Sequence, residues 1–274
     1  GVKVIQEFGR FISPTAVQVA DTVITARRIV IATGSRPFVP AVPGLEDVPY
    51  YTNENIFDLR EKPDHLLVLG GGPIGMEMAQ AHRRLGCAVT VIEGKKAFGK
   101  EDPEMAAIVL QKLRGEGITI VEAACAQNIS CAVGEITVGT SNGTFRGTHL
   151  LVAAGRQVNI EKLNLEAAGI EHHPGGIKVD AGLRSSNRRV YAIGDVAGDL
   201  KFTHVAGYHA GVIIRSMLFG LPAKAKADHI PWATYTDPEL AQVGMNEAQA
   251  RAKFGSRLDV VRFNFSGSDR AIAT

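Results

Sequence analysis

Short apolar runs separated by turn residues dominate the first thirty positions of the chain. Residues 3–31 contain three such runs, VKVIQEFGRFI, AVQVA and ITARRIVIA, with Ser13-Pro14 and Ala20-Asp21 at the turns between them. Runs of this length, bounded by Ser, Pro and Asp, are typical of strands joined by tight turns. The sequence therefore predicts that the chain begins with a β-meander.

The pattern changes to strand, glycine turn and helix at residues 65–86, which read HLLVLGGGPIGMEMAQAHRRLG. The helix is predicted to run to about Leu85, because Ile74, Met78, Ala81 and Leu85 recur at helical spacing and form one apolar face. The glycine that follows is typical of the position just past a helix end.

The rest of the chain continues with the same two periodicities. The predicted elements are a strand at 88–93, a helix from Asp102 to about Arg114, a strand at ITIVEA, short strands over 125–148 with an Asn142-Gly143 turn, strands at 149–155 and 189–193, a helix at 204–219, an extended segment from about 229, a helix from the capping box of Asn246 and Gln249 to Phe254, and a strand at LDVVRFNF.

Composition places few further limits on function. The 274 residues are enough for about two domains, and the net charge of +2 gives no reason to expect binding to nucleic acid or to an anionic membrane. No apolar run approaches the ~20 residues needed to span a bilayer. Cys87, Cys125 and Cys131 do not form a disulfide framework or a metal-ligand pattern, so we expect no redox-active pair, no metal site and a reducing cytoplasmic location.

The glycine turn carries the clearest chemistry. Gly70, Gly72 and Gly75 form a G-x-G-x-x-G pattern between a strand and a helix, and Glu93 ends the next strand. This is the dinucleotide fingerprint: the first glycine permits the turn, the second lets pyrophosphate approach the backbone, and the third lets helix pack on strand. The helix N-terminus at Pro73 and Ile74 favours the negative diphosphate. The alternative is a purely structural glycine turn in an α/β sheet.

Glu93 also bears on which dinucleotide binds. A carboxylate there accepts hydrogen bonds from the adenosine ribose hydroxyls and repels the 2′-phosphate of NADP, which favours NAD. Lys95 and Lys96 follow within three residues and could pair with a phosphate instead, although they also fit an ordinary solvated loop.

Two flanking motifs extend the interpretation to the whole chain. ATGSRP at 32–37 and YAIGDVAG at 191–198 lie on either side of the fingerprint, in the order ATGSRP, GGGPIGMEMA, VTVIE, AAGRQVN, YAIGDVAG, FTHVA. In this order they resemble the flavoprotein pyridine nucleotide–disulfide oxidoreductases, which include dihydrolipoamide dehydrogenase and mercuric reductase. The resemblance implies an α/β fold with a Rossmann-like NAD(P)-binding domain inserted in a partial FAD-binding domain, followed by the start of an α+β dimerisation domain. The implied parts are 1–63 (FAD), 64–184 (NAD(P)), 185–228 (return to FAD) and 229–274 (dimerisation).

The resemblance also implies roles for individual residues. Glu77 matches the family glutamate near flavin N5 and is the expected catalytic residue. FAD contacts carry over onto Thr33 and Gly34, onto Gly194 and Asp195, whose carboxylate would accept a ribityl hydroxyl, and onto the start of a helix at His204, Val205 and Ala206. The implied nicotinamide-nucleotide contacts at the end of AAG are Gly155 and Arg156, the second less firmly than the first. Departures from the family pattern stand at Pro73, Val158 and His209, and they put the substrate in doubt rather than the fold.

The implied activity is electron transfer between NAD(P)H, FAD and a disulfide-type acceptor, as in dihydrolipoamide dehydrogenase, by a cytoplasmic homodimer. The family's Cys-x4-Cys pair and C-terminal acid–base pair are not in this sequence, so we expect an internal fragment that binds NADH, holds FAD poorly and has no disulfide reductase turnover alone. A small-molecule or lipoyl-type disulfide is the expected substrate. The competing interpretation is a stand-alone NAD-binding or interaction module without redox activity.

Overall fold

The computed structural model describes residues 1–198 and 200–272. The strands in this part of the chain are β1 (Gly9–Ser13), β2 (Ala16–Val19), β3 (Thr22–Thr25), β4 (Ile29–Ile31), β5 (Ser35–Pro37), β6 (His65–Leu69), β7 (Ala88–Ile92), β8 (Thr119–Val121), β9 (Ala126–Ala132), β10 (Glu135–Thr140), β11 (Gly143–Gly147), β12 (His149–Val152), β13 (Arg156–Val158), β14 (His172–His173), β15 (Gly176–Ile177), β16 (Val190–Ala192), β17 (Pro231–Thr234) and β18 (Leu240–Val243). The helices are α1 (Pro73–Arg84), α2 (Pro103–Gly115), α3 (Thr203–Leu218), α4 (Glu247–Phe254) and α5 (Asp269–Ile272).

A parallel sheet in the order β12-β6-β7-β8 is the centre of the nucleotide-type part. Alternate residues of β6 enter different hydrophobic clusters. Leu66 and Val68 pack with residues of α1 and α2, and Leu67 and Leu69 pack with the sheet of β9, β10 and β11. Both faces of the central strand are therefore covered, which explains why β6 is an almost continuous apolar run.

Helix α1 begins and ends where the sequence predicted, but its buried face is offset from the predicted apolar face. Gly75, Met76, Ala79 and Gln80 are buried, whereas Leu85 is 70% exposed. The physical cause is the contact of Gly75 with the turn before it: a Cβ there would lie 2.0 Å from the carbonyl oxygen of Gly70. Gly75 must face inward, and that contact fixes the rotation of the whole helix.

The N-terminal segment forms a shorter meander than predicted. Strands β1, β2 and β3 pair in antiparallel fashion, but residues 1–8 lie outside any strand. Strand β4, predicted as the last run of the meander, pairs instead in parallel with β16, from Ile29↔Val190 to Ile31↔Ala192. Sequence periodicity identifies a strand but not its partner, and here the partner lies about 160 residues further along the chain.

The chain crosses between its flavin-type and nucleotide-type parts twice, and the two crossings pair with each other. β5 and β13 form a two-stranded antiparallel ribbon from Arg156↔Pro37 to Val158↔Ser35. Beside the ribbon, the side chain of Arg36 forms a two-pronged ion pair with Glu161, with both N···O distances 2.9 Å. We name this pair of strands the crossing ribbon.

The residues that follow the crossing ribbon pack with the flavin-type part, which affects the predicted end of the nucleotide-binding domain. Leu163, Leu165 and Ile177 share a hydrophobic cluster with Phe11 and Ile31 of the flavin-type part, rather than with the four-stranded sheet. We therefore propose that the nucleotide-binding domain ends near residue 155 rather than at 184.

The last part of the described chain is a hairpin followed by a short helix. β17 and β18 pair in antiparallel fashion, and α4 begins with the predicted capping box of Asn246 and Gln249. The predicted strand at 258–265 is wrong, because residues 258–264 adopt no regular secondary structure. Val261 is 88% exposed, and no neighbouring strand of the described residues pairs with this segment. An alternating pattern needs such a partner to become a strand.

Candidate functional site

The glycine turn lies at the carboxyl edge of the parallel sheet. Gly70 has φ 112°, a conformation that glycine adopts without strain, and a Cβ there would lie 2.4 Å from the carbonyl oxygen of Ala153. Gly72, in contrast, has extended backbone and open space where a Cβ would lie. The fold itself therefore does not require glycine at position 72. A ligand that lies against the backbone would require it, and this is the role of the second glycine in the dinucleotide fingerprint.

The N-terminus of α1 faces the same space. Gly72 is the N-cap, Pro73 is the first helical residue, and no side chain accepts a hydrogen bond from the end of the helix. The first N–H groups of a helix have no partner within the helix and carry partial positive charge. The residues present thus fit a diphosphate.

The carboxylate of Glu93 is oriented by backbone hydrogen bonds, one of them from the glycine turn. Its Oε2 accepts a hydrogen bond from the backbone N–H of Gly71 at 2.7 Å, and its Oε1 accepts one from Lys95 N–H at 2.8 Å. A carboxylate offers about four lone-pair sites, so both oxygens keep capacity for ribose hydroxyls. The side chains of Lys95 and Lys96 are exposed, and neither forms an ion pair within the described residues.

Glu77, one turn into α1, is half-buried and contacts the β17–β18 hairpin. Its Oε1 accepts a hydrogen bond of 2.9 Å from the backbone N–H of Tyr235. Burial raises the pKa of the Glu77 carboxyl above its ordinary value, and the Tyr235 N–H partly opposes this rise. A carboxyl that is readily protonated near a flavin is suited to exchanging a proton with it.

The raised pKa of Glu77 predicts a pH-dependent stability. A carboxyl whose folded-state pKa is raised contributes stability at low pH, and that contribution is lost as pH rises through the folded pKa. Glu77→Gln removes this titration. We expect the variant to lose less free energy of unfolding than the parent chain between pH 4 and pH 7, measured by urea denaturation. Glu54→Gln, at an exposed glutamate, is the control, and identical pH profiles of Glu77→Gln and the parent would contradict the prediction.

Asp195, one of the predicted flavin contacts, is the centre of a hydrogen-bonded network. Asp195 Oδ2 accepts a hydrogen bond from the hydroxyl of Ser35, and Arg156 Nε lies 3.6 Å from the same oxygen. Arg156 also donates to the hydroxyl and the carbonyl oxygen of Ser35, at 2.7 and 2.8 Å. No described residue donates to Asp195 Oδ1, which leaves it able to accept a ribityl hydroxyl. Arg156, predicted as a nicotinamide-nucleotide contact, is thus joined to Asp195, a residue predicted for FAD.

Thr33 and Gly34 are fixed by the chain that returns through the crossing ribbon. The Thr33 hydroxyl donates to the carbonyl oxygen of Asn159 at 2.7 Å, and the Asn159 amide donates back to the carbonyl oxygen of Thr33 at 2.9 Å. Gly34 has φ 66° and open space at its Cβ position, and Gly155 is likewise open with φ 126°. The open glycine surfaces fit a ligand that lies close to the backbone.

Helix α3 begins at Thr203, one residue before the predicted start, and no side chain caps it. Val205 is buried, and Ala206 lies 3.1 Å from where a Cβ on Gly194 would be. His204 Nε2 donates to the carbonyl oxygen of Pro231 at 2.7 Å. This histidine therefore joins α3 to the β17–β18 hairpin, while the uncapped helix end remains suited to a partial negative charge.

The described residues offer little chemistry outside this site. No group of three or more His, Cys, Asp and Glu side chains there is placed to hold a metal ion, and no helix there is long and apolar enough to cross a membrane. Cys87 is buried, and Cys125 and Cys131 are exposed free thiols. A groove of about 800 Å³ beside Phe8 and Ile160 contains none of the predicted site residues.

Comparison with known proteins decides the family. The model of the family described as "Pyridine nucleotide-disulphide oxidoreductase" matches residues 1–210, and the model of its dimerisation domain matches residues 230–274. The chain belongs to the pyridine nucleotide-disulphide oxidoreductase family. The α/β fold implied by the resemblance is confirmed, with the dimerisation-domain match following the nucleotide-binding parts.

Similar proteins include mercuric reductases and a flavoprotein disulfide reductase. The chain is 34% identical to a mercuric reductase of Bacillus cereus, over 92% of this chain and 41% of the relative, and 36% identical to one of Lysinibacillus sphaericus, over 89% and 46%. It also resembles the HOCl-induced flavoprotein disulfide reductase RclA from Escherichia coli, with TM-score 0.88, 32% identity and coverage of 99% of this chain and 63% of that one. The chain thus spans less than half of these two mercuric reductases. Its similarity is to mercuric and disulfide reductases, and not specifically to dihydrolipoamide dehydrogenases.

Sequence reasoning missed several residues of this oxidoreductase site. Ser35 lies inside the ATGSRP motif but was passed over, although a hydroxyl beside a strand end is a fair candidate hydrogen-bonding group. Tyr235, Gln80 and Lys201 give no local signal, since their side-chain or backbone hydrogen bonds at the site are to residues at least 36 positions away.

Proposed function

We propose that this chain is the nucleotide-binding part of a flavoprotein that passes electrons between NAD(P)H, FAD and a disulfide-type or related acceptor. The observation that carries the proposal is the carboxyl edge of the parallel sheet, where an uncapped helix N-terminus, an open Gly72 and an oriented Glu93 occur together. The chain that leaves β12 at this edge leads to Arg156 and so to the Asp195 network. Hydride transfer between nicotinamide and flavin is the chemistry that the two cofactors supply when bound. The family matches and the relatives support this class of enzyme.

We assign roles to the residues of the chain as follows. Gly72 and the start of α1 at Pro73 and Ile74 bind the pyrophosphate of NAD(H), Gly70 and Gly75 shape the turn that presents them, and Glu93 binds the adenosine ribose. The backbone at Thr33, Gly34 and Gly194 and the start of α3 at His204, Val205 and Ala206 bind FAD, with Asp195 accepting a ribityl hydroxyl. Glu77 holds or releases a proton beside the flavin, and Gly155 leaves room for the nicotinamide half.

The proposal also covers the electron acceptor and the oligomeric state. A small disulfide, a lipoyl-type disulfide or a metal ion would each be consistent with an enzyme of this family, and the dimerisation-domain match supports a homodimer. The alternative of a stand-alone NAD-binding or interaction module has no specific observation in its favour.

The proposal predicts that the chain binds NADH more tightly than NADPH. Glu93 would face the 2′-phosphate of NADPH across a short distance, and two like charges in a partly desolvated site repel each other. We expect NADH to bind at least tenfold more tightly than NADPH in isothermal titration calorimetry at low salt. In the Glu93→Gln variant, the ratio of the two Kd values should be smaller. Equal or reversed affinities would instead favour a phosphate contact by Lys95 and Lys96.

A further inference from the structure

The edge of the sheet sets the direction in which a bound dinucleotide runs. Strand β6 lies between β12 and β7, so the glycine turn after β6 has Glu93 on one side and residues 153–156 on the other. A backbone hydrogen bond from Ala153 N–H to Leu69 O, 2.8 Å long, holds that second segment beside the turn. With the adenosine ribose on Glu93 and the pyrophosphate on the turn, the nicotinamide half extends toward Arg156.

Lys201 is held beside Arg156, at the nicotinamide end of the expected dinucleotide position. Its Nζ donates a hydrogen bond of 3.0 Å to the carbonyl oxygen of Arg156, and the side chain is half-buried. An ammonium group has three donors, so two N–H groups remain. Within the described residues, Lys201 forms no ion pair with a carboxylate.

Cations outnumber carboxylates among the described residues that act on Lys201. Arg156 and Lys100 act on its ammonium group as neighbouring cations, and Asp195 is the carboxylate in this part of the chain that attracts it. Asp195 is already shared by Ser35 and Arg156. The loop that carries Lys100 is in turn tied to the glycine turn, by a 2.8 Å hydrogen bond from Phe98 N–H to Gly71 O.

Among the described residues, three cations share one carboxylate that is already hydrogen-bonded, so an anion would offset their mutual repulsion. Burial lowers the pKa of the Lys201 ammonium, Asp195 opposes this effect, and the neighbouring cations add to it. Lysine is a common point-charge ligand for phosphate. Of the two phosphates on the glycine turn, the nicotinamide-side one lies on the side of the turn that faces residues 153–156 and is therefore the anion nearest to Lys201.

We propose that Lys201 binds the nicotinamide-side phosphate of the dinucleotide and so positions the nicotinamide half toward the Asp195 network. This rests on the proposed function, since it takes the glycine turn to be the site of NAD(H). Lys201 thereby becomes a contact that distinguishes a full dinucleotide from its adenosine half.

The test compares ligands that share the adenosine end. Lys201→Met keeps the length and apolar character of the side chain and removes the charge. We expect it to weaken NADH and ADP-ribose about tenfold in calorimetry while leaving AMP within twofold. The dependence of log Kd on log salt concentration should also become less steep. Lys178→Met, at an exposed lysine paired with Glu171, is the matched control and should change none of these values.

The outcomes separate the two proposals. A parent chain that binds neither NADH nor AMP overturns the nucleotide site, and the role of Lys201 with it. A parent chain that binds NADH, with a Lys201→Met variant that binds it equally well, overturns the role of Lys201 alone. A variant that loses AMP and NADH affinity by the same factor also overturns it, because the effect would then lie at the adenosine end.

Discussion

Gly72→Val should lower NADH affinity by at least 100-fold without weakening the fold. The backbone at Gly72 is extended, which a β-branched residue adopts freely, and an added Cβ would contact no atom of the protein within 4 Å. The new side chain would instead fill the space where the pyrophosphate approaches the start of α1. Losing two charge-assisted hydrogen bonds, each worth about 1.5–3 kcal/mol, costs at least two orders of magnitude in Kd.

Calorimetry with NADH measures this effect, and thermal unfolding without ligand checks the fold. Gly115→Val is the matched control, because Gly115 is exposed at the end of α2 and its Cβ position is equally open. NADH affinity that stays within threefold of the parent in Gly72→Val would mean that this turn does not hold the pyrophosphate.

Gln80→Leu should release the β17–β18 hairpin from α1. The Gln80 side chain is 4% exposed, and its amide forms two reciprocal hydrogen bonds with the backbone of Asp237: Nε2 donates to the carbonyl oxygen at 2.9 Å, and Oε1 accepts from the N–H at 2.8 Å. Leucine fills a similar volume but cannot form either hydrogen bond. Both bonds are partly buried and a hydrogen bond contributes about 0.5–1.5 kcal/mol net, so we expect losing the two to cost about 2 kcal/mol in the free energy of docking.

Hydrogen exchange of the Tyr235 and Asp237 amides reports this loss directly. A decrease of about 2 kcal/mol corresponds to roughly 30-fold faster exchange at these two positions. Gln111→Leu, at an exposed glutamine of α2, is the control for the change of residue type. Unaltered protection in Gln80→Leu would show that the ion pair of Arg84 with Asp237, 2.6 Å long, and the bond of Glu77 to Tyr235 hold the hairpin without the glutamine.

The features that were predictable from sequence are those set by neighbours along the chain. The strand, glycine turn and helix around Gly70 follow from local apolar spacing, and the helix starts at Asp102 and Asn246 follow from side chains that cap their own helices. The family resemblance rests on such local motifs too, and the family matches agree with it.

The features that were not predictable depend on contacts between distant segments. The rotation of α1 is fixed by the contact of Gly75 with Gly70, which places Leu85 outside although it belongs to the apolar stripe. The segment 258–264 has the alternating apolar and polar residues of a strand, but no strand of the described chain pairs with it. Ser35 and Lys201 acquire significance only after folding brings Arg156 to both of them.

The crossing ribbon has a mechanical consequence. β5 and β13 run in opposite directions between the two parts of the α/β structure, so a force that pulls the parts apart loads both strands together and leaves their pairing and the Arg36–Glu161 pair intact. A second connection runs through the β17–β18 hairpin, which binds α1 at Glu77 and Gln80 and α3 at His204. We therefore expect the nucleotide-type part to rotate about the crossing ribbon only when the hairpin releases α1 or α3.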